Sequence, residues 1–423
     1  MKLIVEPSNL KGRALMPASK SQTIRACIVG MLAEGTSVAT NPLDSLDTRA
    51  GAKAARALGA EVTLEPGRWT IRGTAGRVKP PKTPIDTENS GTTLYFAMAA
   101  AALADGTTTL TGDASIRSRP AGPLIQCLND LGAEVVSTLG NGRAPVTVGG
   151  PLKGGKTKLD AVTSQYLSAL LISCPLAKGD TEIELTRLNE APYVRMTLDW
   201  LDRQRIRYES RDMRWFRIPG GQAYRAFQRQ IPGDFSSATF FLVAGAATDS
   251  DVTLDGLDMS DAQGDKAVVE MVRSMGAKVT VGKDNVRVSR GTLAGREFDL
   301  NATPDALPAM AVAGALADGE TRLVNVAQAR VKETDRIAVM AAELKKMGAD
   351  ISERPDGLVI RGTGKLRGAH VLGHDDHRVV MALAVAGIAA EGETIIDGAE
   401  CAAVTFPSFV DLMTSLGAKM SLA

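Results

Sequence analysis

One phrase recurs along the chain at a nearly fixed interval: an apolar helical stretch, then Leu or Met followed by Gly-Ala, then a charged strand-like segment. Its glycine occurs as Gly59, Gly132, Gly276, Gly348 and Gly417. The step from the first to the second is 73 residues, and the last two steps are 72 and 69 residues. The gap of 144 residues in the middle has room for one more copy, and "DWLDRQRIRYESRDMRWFRIPGG" lies there without the glycine. A period of this kind indicates a repeat architecture, here of six units.

The repeat favours an α/β fold. Each phrase predicts a helix that ends at a glycine C-cap, followed by two strands joined by turns such as "EPGR" and "RPDG". Each unit also has room for a second helix and more strand, and six such units divide naturally into three plus three. The segment "RQIPGDFSS" predicts a crossover, with a boundary near Ile231–Pro232. A continuous solenoid is the alternative, although solenoid repeats usually have about 20–45 residues.

The composition excludes several classes of protein. The net charge is +1 and no Lys/Arg run of the nucleic-acid-binding type occurs, so any attraction for anions must be local. Aromatic residues make up 4% of the chain, too few for the base-stacking surfaces of single-strand binders. The apolar stretches "AMAAAALADG" and "VVMALAVAGIAAEG" are too short to span a bilayer. They predict buried helices instead.

Cysteine usage and the N-terminal segment predict a cytoplasmic protein. The four cysteines are far apart and show no CxxC spacing: Cys27, Cys127, Cys174 and Cys401. This spacing favours reduced, buried thiols over a disulfide framework. The segment "MKLIVEPSNLKG" has no apolar core of signal-peptide length and predicts a short strand.

Polar residues precede seven apolar helical runs. The first run begins with Ser19 and Gln22 at capping-box spacing, and Ser21 and Arg25 share a face one turn apart. The other starts contain residues 89–92, 163–165, 234–237, 305, 332–336 and 376–378. Helix N-termini suit anions, although any single one is more often a plain N-cap. Seven of them, accompanied by five cations, predict one shared site for a ligand with several negative groups; the cations are Lys20, Arg25, Lys332, Arg336 and Arg378.

Six segments form an ordered set of motifs along the whole chain: "SKSQTIRA", "NSGTT", "IRSRPAGPL", "SQYLSALL", "RVKETDR" and "DDHR". Together they resemble the enolpyruvyl transferases, and within them the 5-enolpyruvylshikimate-3-phosphate synthase family. The last two segments match the family's motifs almost letter for letter. The resemblance implies a two-domain inside-out α/β barrel built from six βαβαββ repeats, three per domain. One domain would comprise residues 1–19 and 232–423 and the other residues 20–231, with the active site in the cleft between them.

The resemblance also implies a reaction. Phosphoenolpyruvate would add to the 5-hydroxyl of shikimate 3-phosphate, and phosphate would then be eliminated, as in the shikimate pathway of aromatic amino acid biosynthesis. No metal or organic cofactor is expected. The expected partners are these two small molecules, with no nucleic acid and no membrane, and the expected oligomeric state is a monomer.

By the same resemblance, individual residues receive expected roles. Those expected to contact shikimate 3-phosphate are Lys20, Ser21, Arg25, Thr163, Ser164, Gln165, Tyr193, Asp305, Gln328 and Lys332. Those expected to surround phosphoenolpyruvate are Lys20, Gly91, Arg119, Gln165, Arg336 and Arg378. The expected catalytic residues are Lys20, Asp305, Glu333 and His377.

The chemistry of these side chains fits the expected substrates. Both substrates are phosphorylated carboxylates, which Arg and Lys bind through charge-assisted hydrogen bonds. Asp305 would take the proton of the hydroxyl, and Glu333, helped by Lys20, would give a proton to the methylene carbon and later remove one. The alternative for residues 332–336 is a solvated helical face with charge pairs at i,i+3 and i,i+4, which is the default interpretation of those five letters alone.

Four positions depart from the family's pattern. Glu190 stands where other members have a serine that binds the substrate phosphate, and its carboxylate would repel that phosphate unless an arginine such as Arg195 or Arg187 faces it. Val404 replaces a lysine that binds phosphoenolpyruvate in some members. Gln328 and Thr163 are milder changes.

All three histidines lie within "HVLGHDDHR", as His370, His374 and His377. With the adjacent aspartates they could form a metal site. The motif favours another interpretation, in which His377 lies at a helix start beside Arg378, near the leaving phosphate. Asp376 would then cap the helix, and the other two histidines would be ordinary strand and turn residues.

Two other functions are possible from the sequence. The sister enzyme transfers the same group to UDP-N-acetylglucosamine, but it carries a reactive cysteine on the loop that here reads "IRSRPAG". A non-catalytic phosphate-binding scaffold could also retain the repeat fold. The presence of Lys20, Asp305 and Glu333 argues against a scaffold.

Overall fold

In the computed structural model, which describes residues 1–423, the chain divides into two units. The central unit comprises Ala18–Ile231, and the terminal unit comprises Met1–Pro17 together with Pro232–Ala423. The terminal unit therefore contains both ends of the chain.

The chain forms thirteen α-helices. Those of the central unit are α1 (Lys20–Leu32), α2 (Leu46–Ala57), α3 (Gly91–Ala101), α4 (Ala114–Ser118), α5 (Gly122–Asp130), α6 (Ser164–Ser173) and α7 (Ala191–Arg203). Those of the terminal unit are α8 (Phe235–Ala247), α9 (Ala267–Met275), α10 (Leu307–Ala315), α11 (Arg336–Lys346), α12 (His377–Ala389) and α13 (Phe409–Ser415). None of these helices is both long enough and apolar enough to span a membrane.

Twenty-four strands accompany the helices. The first twelve are β1 (Lys2–Glu6), β2 (Lys11–Leu15), β3 (Thr36–Thr40), β4 (Glu61–Glu65), β5 (Arg68–Arg72), β6 (Ile85–Asp86), β7 (Thr107–Thr111), β8 (Glu134–Ser137), β9 (Val146–Gly149), β10 (Gly155–Ala161), β11 (Thr181–Leu188) and β12 (Glu209–Arg211). The others are β13 (Trp215–Ile218), β14 (Gln228–Gln230), β15 (Asp251–Asp255), β16 (Lys278–Val281), β17 (Asn285–Ser289), β18 (Glu297–Asp299), β19 (Asp318–Val324), β20 (Asp350–Arg354), β21 (Gly357–Thr363), β22 (His370–Leu372), β23 (Thr394–Asp397) and β24 (Lys419–Leu422).

The strands form six four-stranded sheets with one common pattern. The central unit has the orders β14-β3-β5-β4, β6-β7-β9-β8 and β10-β11-β13-β12. The terminal unit has the orders β22-β23-β1-β24, β16-β17-β15-β2 and β18-β19-β21-β20. In every sheet one edge pair is parallel and the other two pairs are antiparallel. Six equivalent sheets, three in each unit, confirm the six predicted repeats.

The recurring glycine ends a helix in five of the six repeats, as predicted. The five glycines of the phrase follow α2, α5, α9, α11 and α13 and have positive φ angles between 87° and 120°. Glycine adopts this left-handed region without steric penalty. In the sixth repeat Arg205 follows α7 with φ 56°, so an arginine takes the left-handed position where the glycine is missing.

Three buried helices form the core of each unit: α1, α3 and α6 in the central unit, and α8, α10 and α12 in the terminal unit. Every residue of α3 is buried, and so are the twelve residues of α12 from 377 to 388. A helix that is apolar on all sides is stable only when it is covered on all sides. The prediction of buried helices for the two apolar stretches is therefore confirmed.

Candidate active site

The buried helices of the central unit begin with hydroxyl caps. The side chains of Ser19, Ser90 and Thr163 cap α1, α3 and α6, and each accepts a hydrogen bond from a backbone N–H two or three residues further on. Each cap satisfies one of the N–H groups that have no partner within the helix. All three hydroxyl groups therefore act as N-caps in the structure.

Lys20, the first residue of α1, is paired with an aspartate. Its Nζ lies 3.1 Å from Oδ2 of Asp47 in the first turn of α2, and the two side chains are only 15% and 6% exposed. Sequence reasoning singled out Lys20 but missed Asp47. The only signal for Asp47 was an acidic residue at the start of an amphipathic helix, which is common to many helices.

Arg25 is a buried cation that donates to neutral acceptors. Its guanidinium donates to Thr197 Oγ1 at 2.9 Å and to the backbone oxygens of Tyr193 and Ser21 at 3.0 Å. Burial lowers the pKa of Arg25 from its ordinary value to about 9, an effect that Tyr193 opposes and Arg229 reinforces. A desolvated guanidinium surrounded by neutral oxygens gains stability when an anion approaches it.

Arg119 lies against the first residue of α3. It donates from Nη2 to Asn89 Oδ1 at 3.1 Å and to Ser115 Oγ at 3.0 Å. A Cβ atom at Gly91 would lie 2.8 Å from Arg119 Nη1, so only glycine lets the guanidinium approach this closely. The resemblance placed Gly91 and Arg119 in one site, and the structure brings them together.

Two tyrosines fix the segment that carries Arg119. The hydroxyls of Tyr95 and Tyr166 both donate to the backbone oxygen of Pro120, at 2.8 and 2.6 Å. Burial raises the pKa of Tyr166 above its ordinary value, so its hydroxyl stays protonated and continues to donate. Nearby, Gln165 Nε2 donates to an α3 hydroxyl at 3.0 Å and links α6 to α3.

Glu190 turns toward the start of α6. Its Oε2 accepts from Ser164 Oγ at 2.7 Å, and from the Ser164 N–H and Thr163 Oγ1 at 3.1 Å each. Of the two arginines expected to face Glu190, Arg187 is paired instead with Asp160 at 3.1 Å. Two residues expected to bind substrate thus donate to a carboxylate of the chain itself.

In the terminal unit, Arg336 joins three carboxylates. The guanidinium is 1% exposed and donates from Nε to Asp376 Oδ2 at 2.7 Å, from Nη1 to Asp305 Oδ1 at 2.8 Å and from Nη2 to Glu333 Oε2 at 2.6 Å. Burial acts to lower the pKa of Arg336, but Asp376, Glu333 and Asp305 outweigh it and raise the pKa above its ordinary value. With a second bond from Nη2 to Asp376, four of the five N–H groups of Arg336 donate to carboxylates, and the fifth is on Nη1.

Asp305 and Asp376 each contact Arg378 as well as Arg336. Nη2 of Arg378 lies 3.0 Å from Oδ2 of Asp305, whose other oxygen accepts from Arg336. Asp376 caps α12 by accepting from the Arg378 N–H at 2.8 Å, which is the role expected for it. We call these residues, with Glu333, the carboxylate–arginine cluster: Asp305, Glu333, Arg336, Asp376 and Arg378.

The segment before α11 is not a solvated helical face. The helix begins only at Arg336, and Lys332 and Glu333 precede it as half-buried residues. Gln328, which lies in the 3₁₀ segment Ala327–Val331, is buried and donates to the backbone oxygen of Asn301 at 3.1 Å. The interpretation of residues 332–336 as surface charge pairs is therefore wrong, because burial of Arg336 draws Glu333 into the unit.

The three histidines have different surroundings. His370 Nε2 lies 2.7 Å from Asp397, and His374 Nε2 lies 2.8 Å from Glu343. His377 is the buried first residue of α12, next to Arg378. No group of three or more His, Cys, Asp or Glu side chains is placed to hold a metal ion.

A buried glutamate holds the turn that leads into α12. His374 and Asp375 both have left-handed backbones, with φ 52° and 53°. Glu343 on α11 is 2% exposed and accepts from His374 Nε2, from the Leu372 N–H at 3.0 Å and from Lys346 Nζ at 2.7 Å. Burial alone would raise the pKa of Glu343, but these three donors outweigh it and hold the pKa below its ordinary value of 4.5.

Acidification is expected to remove the stability that ionised Glu343 contributes. Because its pKa is lowered by folding, that contribution is complete above pH 4.5 and is lost as the pH falls through the pKa of the folded state. The free energy of unfolding of the Glu343→Gln variant should therefore approach that of the wild type as the pH is lowered. Urea unfolding of both proteins over a series of pH values checks this, and a constant difference across the series would contradict it.

Comparisons with known proteins identify the family of the chain. The sequence model of the family described as EPSP synthase (3-phosphoshikimate 1-carboxyvinyltransferase) matches residues 4–413. A protein of Acetivibrio thermocellus named 3-phosphoshikimate 1-carboxyvinyltransferase is 54% identical over 421 residues, which cover 100% of this chain and 99% of the relative. A protein of the same name from Ruminiclostridium cellulolyticum is 52% identical over 422 residues and covers both chains completely. The solved structure of EPSP synthase from Acinetobacter baumannii has a TM-score of 0.85 and 29% identity, covering 100% of this chain and 99% of that one.

These matches extend over the whole chain and do not depend on any single motif. The solved structure confirms the expected fold class, an α/β fold of six repeats. The relatives carry the name of one transferase, which does not favour the sister enzyme or a scaffold. The chain therefore belongs to the EPSP synthase family.

Proposed function

We propose that this chain transfers the carboxyvinyl group of phosphoenolpyruvate to the 5-hydroxyl of shikimate 3-phosphate and releases phosphate. The observation that carries the proposal is the carboxylate–arginine cluster, found in a chain that matches the family over residues 4–413. The cluster places two carboxylates, Asp305 and Glu333, against fixed cations. Positioned carboxyl groups can act as general acids and bases, and fixed cations stabilise the negative charge of bound substrates.

Binding of shikimate 3-phosphate is assigned to cationic and polar side chains of both units. Shikimate 3-phosphate contacts Ser21, Arg25 and Tyr193 of the central unit, and Gln328 and Lys332 of the terminal unit. The partners of Arg25 support its part in this assignment, because a buried guanidinium with neutral acceptors favours an incoming carboxylate or phosphate. Thr163, Ser164 and Gln165 contribute hydroxyl and amide groups at the start of α6.

Phosphoenolpyruvate is assigned to a second set of cations. Arg119 approaches it from beside Gly91, where the missing side chain leaves backbone and guanidinium close together. Arg378 and the remaining N–H of Arg336 bind it from the terminal unit, and Lys20 lies within reach of both substrates.

The first chemical step is an addition. Asp305 accepts the proton of the 5-hydroxyl while the hydroxyl oxygen forms a bond to C2 of phosphoenolpyruvate. The C2–C3 double bond opens, and C3 takes a proton from Glu333, which enters this step as the carboxylic acid and is assisted by Lys20. A methyl group and a tetrahedral carbon result.

The second step is an elimination. The Glu333 carboxylate removes a proton from the new methyl group, the C2–C3 double bond forms again, and the bond from C2 to the phosphate oxygen breaks. Phosphate leaves beside Arg378, with His377 as a hydrogen-bond donor, and it takes up the proton that Asp305 accepted in the first step. Asp305 and Glu333 thereby return to their starting protonation states. Neither step oxidises or reduces a substrate.

We further propose that the chain acts as a cytoplasmic monomer. All residues assigned to the reaction belong to one chain. The four cysteines are unpaired, which fits a reducing compartment.

A phosphate-release assay tests the proposed function. The chain is expected to release phosphate from phosphoenolpyruvate when shikimate 3-phosphate is supplied, and not when UDP-N-acetylglucosamine is supplied. Release of phosphate from phosphoenolpyruvate with UDP-N-acetylglucosamine, but not with shikimate 3-phosphate, would assign the chain to the sister reaction. Release with neither acceptor would contradict a catalytic role.

A further inference from the structure

Glu190 is a buried carboxylate that occupies donors assigned to the substrate. Its side chain is buried, and a single oxygen, Oε2, accepts from Thr163 Oγ1, Ser164 Oγ and the Ser164 N–H. The last of these donors belongs to the first residue of α6, where the helix dipole also favours negative charge. The carboxylate therefore has the surroundings that an oxygen of a phosphate group would have there.

The backbone sets the direction in which the Glu190 side chain leaves the turn. Glu190 is the N-cap of α7 with φ 58° and ψ 39°, a left-handed conformation that residues with a Cβ rarely adopt. Ala191 and Pro192 follow directly and begin the helix. The constrained turn therefore directs the side chain of Glu190 toward the start of α6, and its side-chain torsions remain free to withdraw Oε2 when another anion arrives.

Two anions cannot share these donors. A carboxylate and a phosphate that both accept from Ser164 would approach to within a few ångströms of each other, where like charges disfavour the ionised forms of both. We infer that Glu190 is a specificity-determining residue, an internal anion that competes with the 3-phosphate of the substrate for Thr163 and Ser164. Binding of shikimate 3-phosphate is then an exchange, in which phosphate oxygens replace Oε2 of Glu190. The inference rests on the proposed function and concerns the phosphate end of that substrate alone.

The exchange makes a prediction that depends on the phosphate group. Replacing Glu190 by serine removes the competing anion and leaves the Thr163 and Ser164 donors in place. The Kd for shikimate 3-phosphate should fall at least about tenfold, since hydrogen bonds to charged groups are the strong ones. Shikimate without its phosphate meets no such competition, so its Kd should change less than about twofold. Isothermal titration calorimetry with both ligands measures the ratio of the two constants.

Two further variants separate the effect of the Glu190 charge from the effects of side-chain shape and of net charge. Glu190→Gln keeps the shape of the side chain and removes its charge, so it should shift the ratio in the same direction by a smaller factor. Glu184→Gln removes one negative charge from the exposed face of β11, where Glu184 pairs with Lys158. It matches the change in net charge and should leave both constants as in the wild type.

The outcomes separate this inference from the proposed function. A lower Kd for shikimate 3-phosphate in both Glu190 variants, with shikimate unchanged, supports the exchange. An unchanged or higher Kd for shikimate 3-phosphate in Glu190→Gln would overturn it and would make Glu190 a structural support of α6. Failure of the wild-type protein to bind shikimate 3-phosphate at all would instead contradict the proposed function.

Discussion

Replacing Arg336 by methionine is expected to lower the free energy of unfolding by about 3–5 kcal/mol and to remove nearly all activity. The guanidinium is 1% exposed and neutralises Asp376, Asp305 and Glu333, which lie within 2.6 to 2.8 Å of it. Methionine fills a similar volume but leaves three carboxylates without their shared cation. The penalty is large because buried charges that lose their partner cannot recover hydration.

Two further variants test whether the loss of stability comes from the buried carboxylates around Arg336. Arg287→Met breaks an ion pair with Asp251 whose side chains are 60% and 43% exposed, and it should change the free energy of unfolding by less than about 1 kcal/mol. Adding Asp376→Asn to the Arg336 variant should recover part of the lost stability, since one unpaired charge is then removed. Chemical denaturation of all four proteins measures both effects. Equal losses for the Arg336 and Arg287 variants would show that the cluster is not an electrostatic unit.

Replacing Glu333 by glutamine is expected to lower turnover by at least about 10²-fold, the contribution of a general acid–base group. Glutamine retains a hydrogen bond to Arg336, so the cluster keeps its shape while the proton donor for C3 is lost. The affinity for shikimate 3-phosphate should stay within about threefold of the wild type, because the residue acts in the transition state and not in binding. Asp305→Asn should lower turnover as well, because the hydroxyl then loses its base.

A charge-matched variant controls for this second prediction. Glu353→Gln removes a carboxylate that pairs with Arg330 at the surface, and its turnover should match that of the wild type. Steady-state kinetics of phosphate release, together with calorimetric titration of shikimate 3-phosphate, compare the variants. Wild-type turnover in Glu333→Gln would remove Glu333 from the mechanism.

The architecture could be predicted from the sequence because the repeat determines it locally. In each repeat one helix ends at a residue with a left-handed backbone, and glycine marks five of these six ends. The sixth was located only by counting residues, since Arg205 takes the same conformation without a glycine. Periodicity of buried residues and helix ends are local properties, so they are visible in a linear sequence.

The electrostatics of the site could not be predicted in the same way. The family resemblance assigned Arg336 to a ligand, whereas its partners in the structure include Asp305 and Asp376, 31 and 40 residues away along the chain. Lys20 likewise pairs with Asp47 on the next helix. Which carboxylate neutralises which cation depends on tertiary packing. The sequence therefore identified the charged residues without showing which ones the protein itself already pairs.

A crystal structure of the Glu333→Gln variant with shikimate 3-phosphate and phosphoenolpyruvate bound together tests most directly whether both units serve one reaction. The expected result is that Lys20 and Arg119 of the central unit, and Lys332 and Arg378 of the terminal unit, all lie within about 3.5 Å of oxygens of the two ligands. Ligands held by only one unit, with the cations of the other unit pointing elsewhere, would contradict it.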